Sequence, residues 1–350
     1  MDVNAEITNF EKYKNKGLTG LANVGNTCYI NSCLQVLSHT YELNTLLDSK
    51  KLIRINNNNE GIILKEWNNL RKLMWSENCI VAPWGFVRAV QKVAILKKRE
   101  LFSGFTQQDV SEFLLFVIDC FHEGLKREVQ MEISGVVEDG VDSLARECYA
   151  MMKTLYRKEY SEMLNIYYGI SVTQITSIET GKHLSRCVEP FSLISLCLPL
   201  KNEISIFECL DNHCGSEVME GDNAWHNDKT NKKENVSKQI MFWSLPNILI
   251  IDLKRFNNNN KKLQMLVTTP LTEADFSKYI VGYNPEQYIY DLFGVTNHSG
   301  NVFGGHYTAS VKNANGKWYT FNDTSINEID EKRVVTARTY CLFYRKKNKN

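Results

Sequence analysis

The spacing of apolar residues changes once along the chain, and that change limits the folds open to it. From Thr27 to about Tyr168 apolar side chains recur at helical intervals. Ile30, Leu34 and Leu37 fall on one segment, Ile63, Trp67, Leu70 and Met74 on a second, Phe86, Val90 and Val93 on a third, and Phe113, Phe116, Val117 and Cys120 on a fourth. After Gly169 the runs shorten and read as strands, in ISVTQITSI, FSLISLCL, NILIIDLKRF, YDLFGVTN, HYTASVKN and KWYTFN, several bounded by Gly, Pro, Asn or Asp. A mostly α half followed by a mostly β half predicts an α+β architecture with a cleft where the halves meet. At 350 residues and 43% hydrophobic content, the chain is long enough for one large enzyme domain or for two or three subdomains.

Between these runs lie stretches too polar to bury. The asparagine runs at 56–59 and 257–260 and the segment GDNAWHNDKTNKKEN (221–235) are expected as surface loops. Lys and Arg total 41 against 40 Asp and Glu, so no overall field draws the chain to nucleic acid or to an acidic membrane, and neither is expected as a partner. MDVNAEITNF lacks the basic start and apolar block of a secretory signal, and the richest apolar run, ILII, stops at Asp252, which predicts a cytosolic or nuclear protein. Ten cysteines without repeat spacing argue for reduced thiols.

One cysteine is placed for chemistry. In NVGNTCYINSCLQ (23–35), Cys28 stands in the first turn of a helix expected over 28–39, where free backbone N–H groups and the helix dipole favour a thiolate and lower the thiol pKa. Taken alone, Cys28 reads first as a buried small hydrophobe. A nucleophile needs a base, and among seven histidines His306 stands out, because GGH (304–306) joins backbone freedom to a strand start. WYTFND (318–323) then puts Asn322 and Asp323 at a strand end, where either can orient the imidazole by accepting from Nδ1–H.

Together these pieces resemble the two signature boxes of the ubiquitin-specific proteases, papain-like cysteine peptidases that cut after the C-terminal glycine of ubiquitin. GLANVGNTCYINSCLQVL (20–37) is similar to the cysteine box, and NHSGNVFGGHYTASVKN with KWYTFNDTSI (297–326) to the histidine box. FTQQDVSEFLLFVID, EPFSLISLCLPL and LPNILIIDLKRF extend the resemblance in collinear order over about residues 17 to 346. It implies a helical thumb (about 17–168), β-rich fingers with adjoining palm strands (169–245) and a β-sheet palm (246–346), flanked by tails at 1–16 and 347–350. It implies a thiol hydrolase acting on isopeptide or peptide bonds through a thioester, with ubiquitin and ubiquitinated proteins as partners, working as a monomer without a cofactor.

Carried over by residue, the resemblance makes Cys28 the nucleophile, His306 the base, Asn322 the holder of the ring and Asn23 a donor to the tetrahedral oxygen. Asn23 reads otherwise as a turn former before Gly25. Asp323 would supply the charge that a neutral Asn322 lacks. Gln107, Asp109 and Glu112 would line the channel for the ubiquitin tail, and they also read as the start of a helix with acidic residues suited to its dipole. His298, Gly304 and Gly305 match the loop that closes over the diglycine. Two alternatives stand beside this reading: a non-catalytic ubiquitin-binding module, and an isopeptidase for a ubiquitin-like modifier.

Many members of the family carry two Cys-x-x-Cys pairs on the fingers that hold one zinc. Here Ile178, Gly181, Asn227 and Thr230 fall at those four positions, so no metal is expected there. Cys209, His213 and Cys214 form a separate small cluster, for which core and loop roles are expected.

Overall fold

The computed structural model describes residues 10–49 and 54–347. The helical half is built around α1 (Cys28–Ser38), every residue of which is buried. Two of its polar side chains tie it to the segment that precedes it: Asn31 Nδ2 donates to Leu21 O and Gln35 Nε2 to Thr19 O. Helix α2 (Tyr41–Asp48) follows, and in one shared core α5 (Val110–Leu125) packs on α1, α3 (Asn59–Ser76) on α5 and α4 (Trp84–Leu96) on α3. The stripes expected from spacing are the ones buried, with Ile63, Trp67, Met74, Val93, Phe113 and Val117 all at 0% exposure.

The first asparagine run is a surface loop through Asn58 and enters α3 at Asn59. Asn58 caps α3 by accepting from Gly61 N at 2.8 Å, and Asn56 donates to the carbonyls of Glu123 and Lys126, so the run ties two helices together. The second run is a solvent-facing turn, in which Asn257 Oδ1 accepts from the N–H groups of Asn259 and Lys261. Helix α6 (Gly140–Glu159) sets Leu144, Ala145 and Cys148 against Ile170, Val172 and Trp243, and α7 (Glu162–Tyr167) leads into the strands.

The main sheet runs in the order β17 (Ser325–Ile329), β16 (Trp318–Asn322), β15 (Gly304–Lys312), β14 (Ile289–Asn301), β18 (Thr339–Lys346), β11 (Ile248–Lys254) and β5 (Ile194–Cys197), with β13 (Ala274–Asp275) on β14. Both of its faces are covered. Ile248, Ile250, Ala309, Val311 and Phe343 pack on the helices, while Leu249, Ile251, Leu253, Val295 and Leu342 join a second core with α8 (Ile206–His213). Two-sided burial explains why ILII is continuous rather than alternating. Gly294 in β14 admits α1 closely, since a Cβ there would lie 2.9 Å from Val36 Cγ1.

A second sheet runs β4 (His183–Phe191), β3 (Gly169–Ser177), β10 (Val236–Ser244) and β7 (Glu217–Met219). FSLISLCL is not one strand, because β4 ends at Phe191 and only Ile194–Cys197 enters the main sheet. Nor is 221–235 an irregular loop: β8 (Trp225–Asn227) pairs with β9 (Lys232–Glu234). Two short pairs complete the strands, β1 (Gly20–Leu21) with β2 (Ile80–Val81) and β6 (Glu203–Ser205) with β12 (Leu266–Thr268). Among the described residues no helix is long and apolar enough to cross a membrane.

Candidate active site

The loop before α1 is wound so that Cys28 becomes the first helical residue. Asn23 Oδ1 accepts from the N–H groups of Gly25 and Thr27, Val24 N donates to Thr27 Oγ1, and Asn26 takes a φ of 52°. Cys28 is 4% exposed. Burial pushes its thiol pKa up, and the charge of Asp323 adds to this, while hydrogen bonds from the backbone at Tyr307, Tyr29 and Cys28 pull it down. The net shift is upward, which corrects the lowered value expected from the helix start: desolvation outweighs the helix-terminal donors.

Across the cleft β15 and β16 bring His306 and Asn322 together. His306 Nε2 lies 2.6 Å from Asn322 Oδ1. An amide oxygen only accepts, so Nε2 carries the proton and Nδ1 keeps the lone pair. This reverses the nitrogen expected from sequence, where Nδ1–H was to be the donor.

Asp323 turns away from the ring. It sits at φ 50° in the β16–β17 turn, and its carboxylate accepts from Asn31 Nδ2 at 2.7 Å and Asn23 Nδ2 at 3.0 Å, while its carbonyl accepts from Leu21 N at 2.9 Å. It therefore pins the loop before Cys28 and not the imidazole. One N–H of the Asn23 amide is taken by Asp323, which leaves the other.

The remaining residues named from sequence lie just before α5, on its first turn and on the β14–β15 hairpin. Gln107 Oε1 accepts from Gly305 N at 2.8 Å, and its Nε2 donates to Cys28 Sγ at 3.7 Å. Asp109 caps α5 through Ser111 N and Glu112 N, and its other oxygen accepts from Tyr340 OH. Glu112 is exposed on the first turn of α5. Gly304 and Gly305 open β15, facing Asn301 and Gly300 in register.

His298 lies beneath that hairpin, not on its surface. It is 3% exposed, with its ring near Tyr307, Tyr340 and Phe256, and burial followed by the charge of Lys262 lowers its pKa to about 4. Lys262 Nζ sits 2.9 Å from its Nδ1.

Tyr340, Lys262 and Asp252 were not found by sequence reasoning, because each acts through contacts between distant strands. Asp252, in β11, accepts from Ser195 Oγ at 2.8 Å, and burial raises its carboxyl pKa to about 6.

At the β3–β4 turn and the β8–β9 hairpin, Ile178, Gly181, Asn227 and Thr230 supply no thiolate or imidazole. Asn227 Nδ2 and Thr230 Oγ1 both donate to Glu234 Oε1, at 2.7 and 3.1 Å. Gly181 N bonds Ser177 O, and Ile178 N bonds Asn235 O. This donor set does not fit zinc. Cys209 and Cys214 are buried in or beside α8 and the His213 ring stacks on Phe242; among the described residues no group of three or more His, Cys, Asp or Glu is placed to hold a metal ion.

Comparison with known proteins accords with this geometry. The family model described as ubiquitin carboxyl-terminal hydrolase matches residues 19–344. Ubiquitin carboxyl-terminal hydrolase 2 of Bos taurus is 30% identical over 94% of this chain, which spans 55% of that protein's length. The protein of the same name from Gallus gallus is 31% identical, with 94% of this chain and 93% of that one covered. Among solved structures, the SAGA Ubp8/Sgf11/Sus1/Sgf73 DUB module bound to ubiquitin aldehyde superimposes with a TM-score of 0.71 at 22% identity, covering 97% of this chain and 71% of that one. The chain belongs to the ubiquitin carboxyl-terminal hydrolase family, among its ubiquitin-specific proteases, and has their papain-like α+β fold.

Proposed function

We propose that the chain is a deubiquitinating cysteine peptidase that hydrolyses isopeptide or peptide bonds after the C-terminal glycine of ubiquitin. The observation that carries this reading is the His306–Asn322 contact, made at the strand ends that face the helix beginning at Cys28. The pair leaves Nδ1 unprotonated as a base, and a thiol whose pKa is raised by burial needs one. His306 Nδ1 would take the Cys28 proton as sulfur attacks the glycine carbonyl carbon. The resulting oxyanion would be met by the Cys28 backbone N–H and the remaining N–H of Asn23. Collapse breaks the C–N bond, with the imidazolium returning its proton to the lysine amine. Water, deprotonated by the same ring, then attacks the thioester and releases the carboxylate and the thiol.

In this reading residues 17–168 form the thumb, 169–245 the fingers with adjoining palm strands, and 246–346 the palm. Gln107, Asp109, Glu112, Gly304 and Gly305 line the tail channel, and His298 supports it from below. One chain supplies thiol, imidazole and amide, so a monomer suffices.

The test is turnover of a fluorogenic amide on the ubiquitin C-terminus, beside electrophilic probes built on ubiquitin and on other modifiers. Turnover and capture by ubiquitin are expected. Capture only by another modifier replaces the substrate, and capture by none overturns the reading.

A further inference from the structure

We propose that Gln107 is a positioning residue that bridges the free cleft, and that substrate must take over part of this bridge before the thiol can react. Its oxygen holds the Gly305 N–H and its nitrogen covers the Cys28 sulfur, at 2.8 and 3.7 Å. The identity of the substrate rests on the function proposed above; the bridge itself does not.

Three separate parts of the chain meet at this one side chain. Its backbone is fixed because Asp109, two residues on, is held by the first turn of α5 and by Tyr340. Gly305 is equally fixed. A Cβ on it would lie 2.2 Å from Ser299 O and 2.4 Å from His298 Nε2, so the strand start rests directly on a packed floor and presents its N–H at a set height.

A glutamine side chain carries the same acceptor and donor as a peptide group. In the free cleft it satisfies an N–H that a substrate carbonyl can satisfy, and its nitrogen bonds the sulfur of Cys28, a residue only 4% exposed. The bridge therefore acts in two directions. It shields the thiol from small electrophiles, and it occupies the Gly305 N–H until a substrate carbonyl replaces it.

The test is the rate at which iodoacetamide alkylates Cys28 in the whole chain, followed on the Cys28 peptide by mass spectrometry between pH 6 and 10. Gln107→Ala removes cover and donor and is expected to speed Cys28 alkylation about fivefold or more near pH 7.5, while Cys33, Cys120 and Cys341 stay protected. Gln107→Glu keeps the acceptor for Gly305 but puts a carboxylate beside the sulfur, and is expected to raise the pH midpoint of alkylation by about one unit. Wild-type rates and midpoints in both variants overturn the bridge, as does an acceleration shared by all buried cysteines, which would mean loosened folding. Altered alkylation in a protein that does not cleave ubiquitin upholds the bridge and removes the substrate.

Discussion

The cleft and the tip made by the β3–β4 turn and the β8–β9 hairpin are both held by polar side chains, but over very different spans of chain. At the cleft the partners are remote in sequence: Asn23 and Asn31 meet Asp323, Gln107 meets Gly305, and Asp109 meets Tyr340. At the tip they are near neighbours. Asn227 and Thr230 reach Glu234 seven and four residues away, and Ser177 accepts from Thr180 N and Gly181 N. A local turn that satisfies its own polar groups can lose a metal and still close. A cleft assembled from distant segments has no such reserve, because removing one partner leaves another polar group stranded.

The sharpest way to break this contrast is at the β16–β17 turn. Asn322→Ala releases the His306 ring and is expected to lower kcat about 10- to 100-fold with little change in KM. Asp323→Ala acts differently, since it frees Asn23 and Asn31 instead of the ring. It is expected to lower kcat about tenfold and, by removing a negative charge that helps raise the thiol, to move the alkylation midpoint of Cys28 downward. A shift upward, or none, would deny that its charge acts on the thiol.

Behind the cleft, Asp252 allows a test by stability. Its carboxyl holds a proton up to about pH 6 in the folded state and only to about 3.9 when unfolded. Between those values the folded state binds more protons, so stability falls as pH rises through the window and stays lower above it. Asp252→Asn can still accept from Ser195, and it is expected to stabilise the chain against urea by about 2–3 kcal/mol at pH 8 and by little near pH 3. An equal effect at both pH values would locate its cause elsewhere.

The smallest effects belong to the fingers. EDTA is expected to leave melting temperature and activity unchanged. Asn227→Ala is expected to cost about 1 kcal/mol, because Thr230 still donates to Glu234. Unfolding of the tip by EDTA would mean that a metal is bound there.

The same contrast explains what could be seen in the sequence. Helical stripes such as Ile63, Trp67, Leu70 and Met74 were legible because spacing along one element decides burial. Cys28, His306 and Asn322 stood out because each lies near an element end, Cys28 just after Gly-Asn-Thr, His306 after Gly-Gly and Asn322 at the close of WYTFN. What remained hidden depends on which segments become neighbours. Asp323 was expected beside the imidazole because it follows Asn322, yet its positive φ swings it to Asn23 and Asn31. The Cys28 pKa was expected to fall from the helix start, and only the sheet packed over α1 reveals the desolvation that raises it. His298 looked like a loop residue because the resemblance puts it in the loop over the diglycine, whereas the rings of Phe256, Tyr307 and Tyr340 lie around it. The hairpin at 225–234 escaped notice because its polar composition resembles a loop; its strands are held by ladder hydrogen bonds and Glu234.

The most direct measurement is to react the protein with ubiquitin carrying an electrophile at its C-terminus and to map the adduct by peptide mass spectrometry. One ubiquitin per chain, joined through the Cys28 sulfur and lost in Cys28→Ala while that variant still binds ubiquitin, is the expected result. An adduct on any of the other nine cysteines, or full ubiquitin amide turnover by Cys28→Ala, would contradict it.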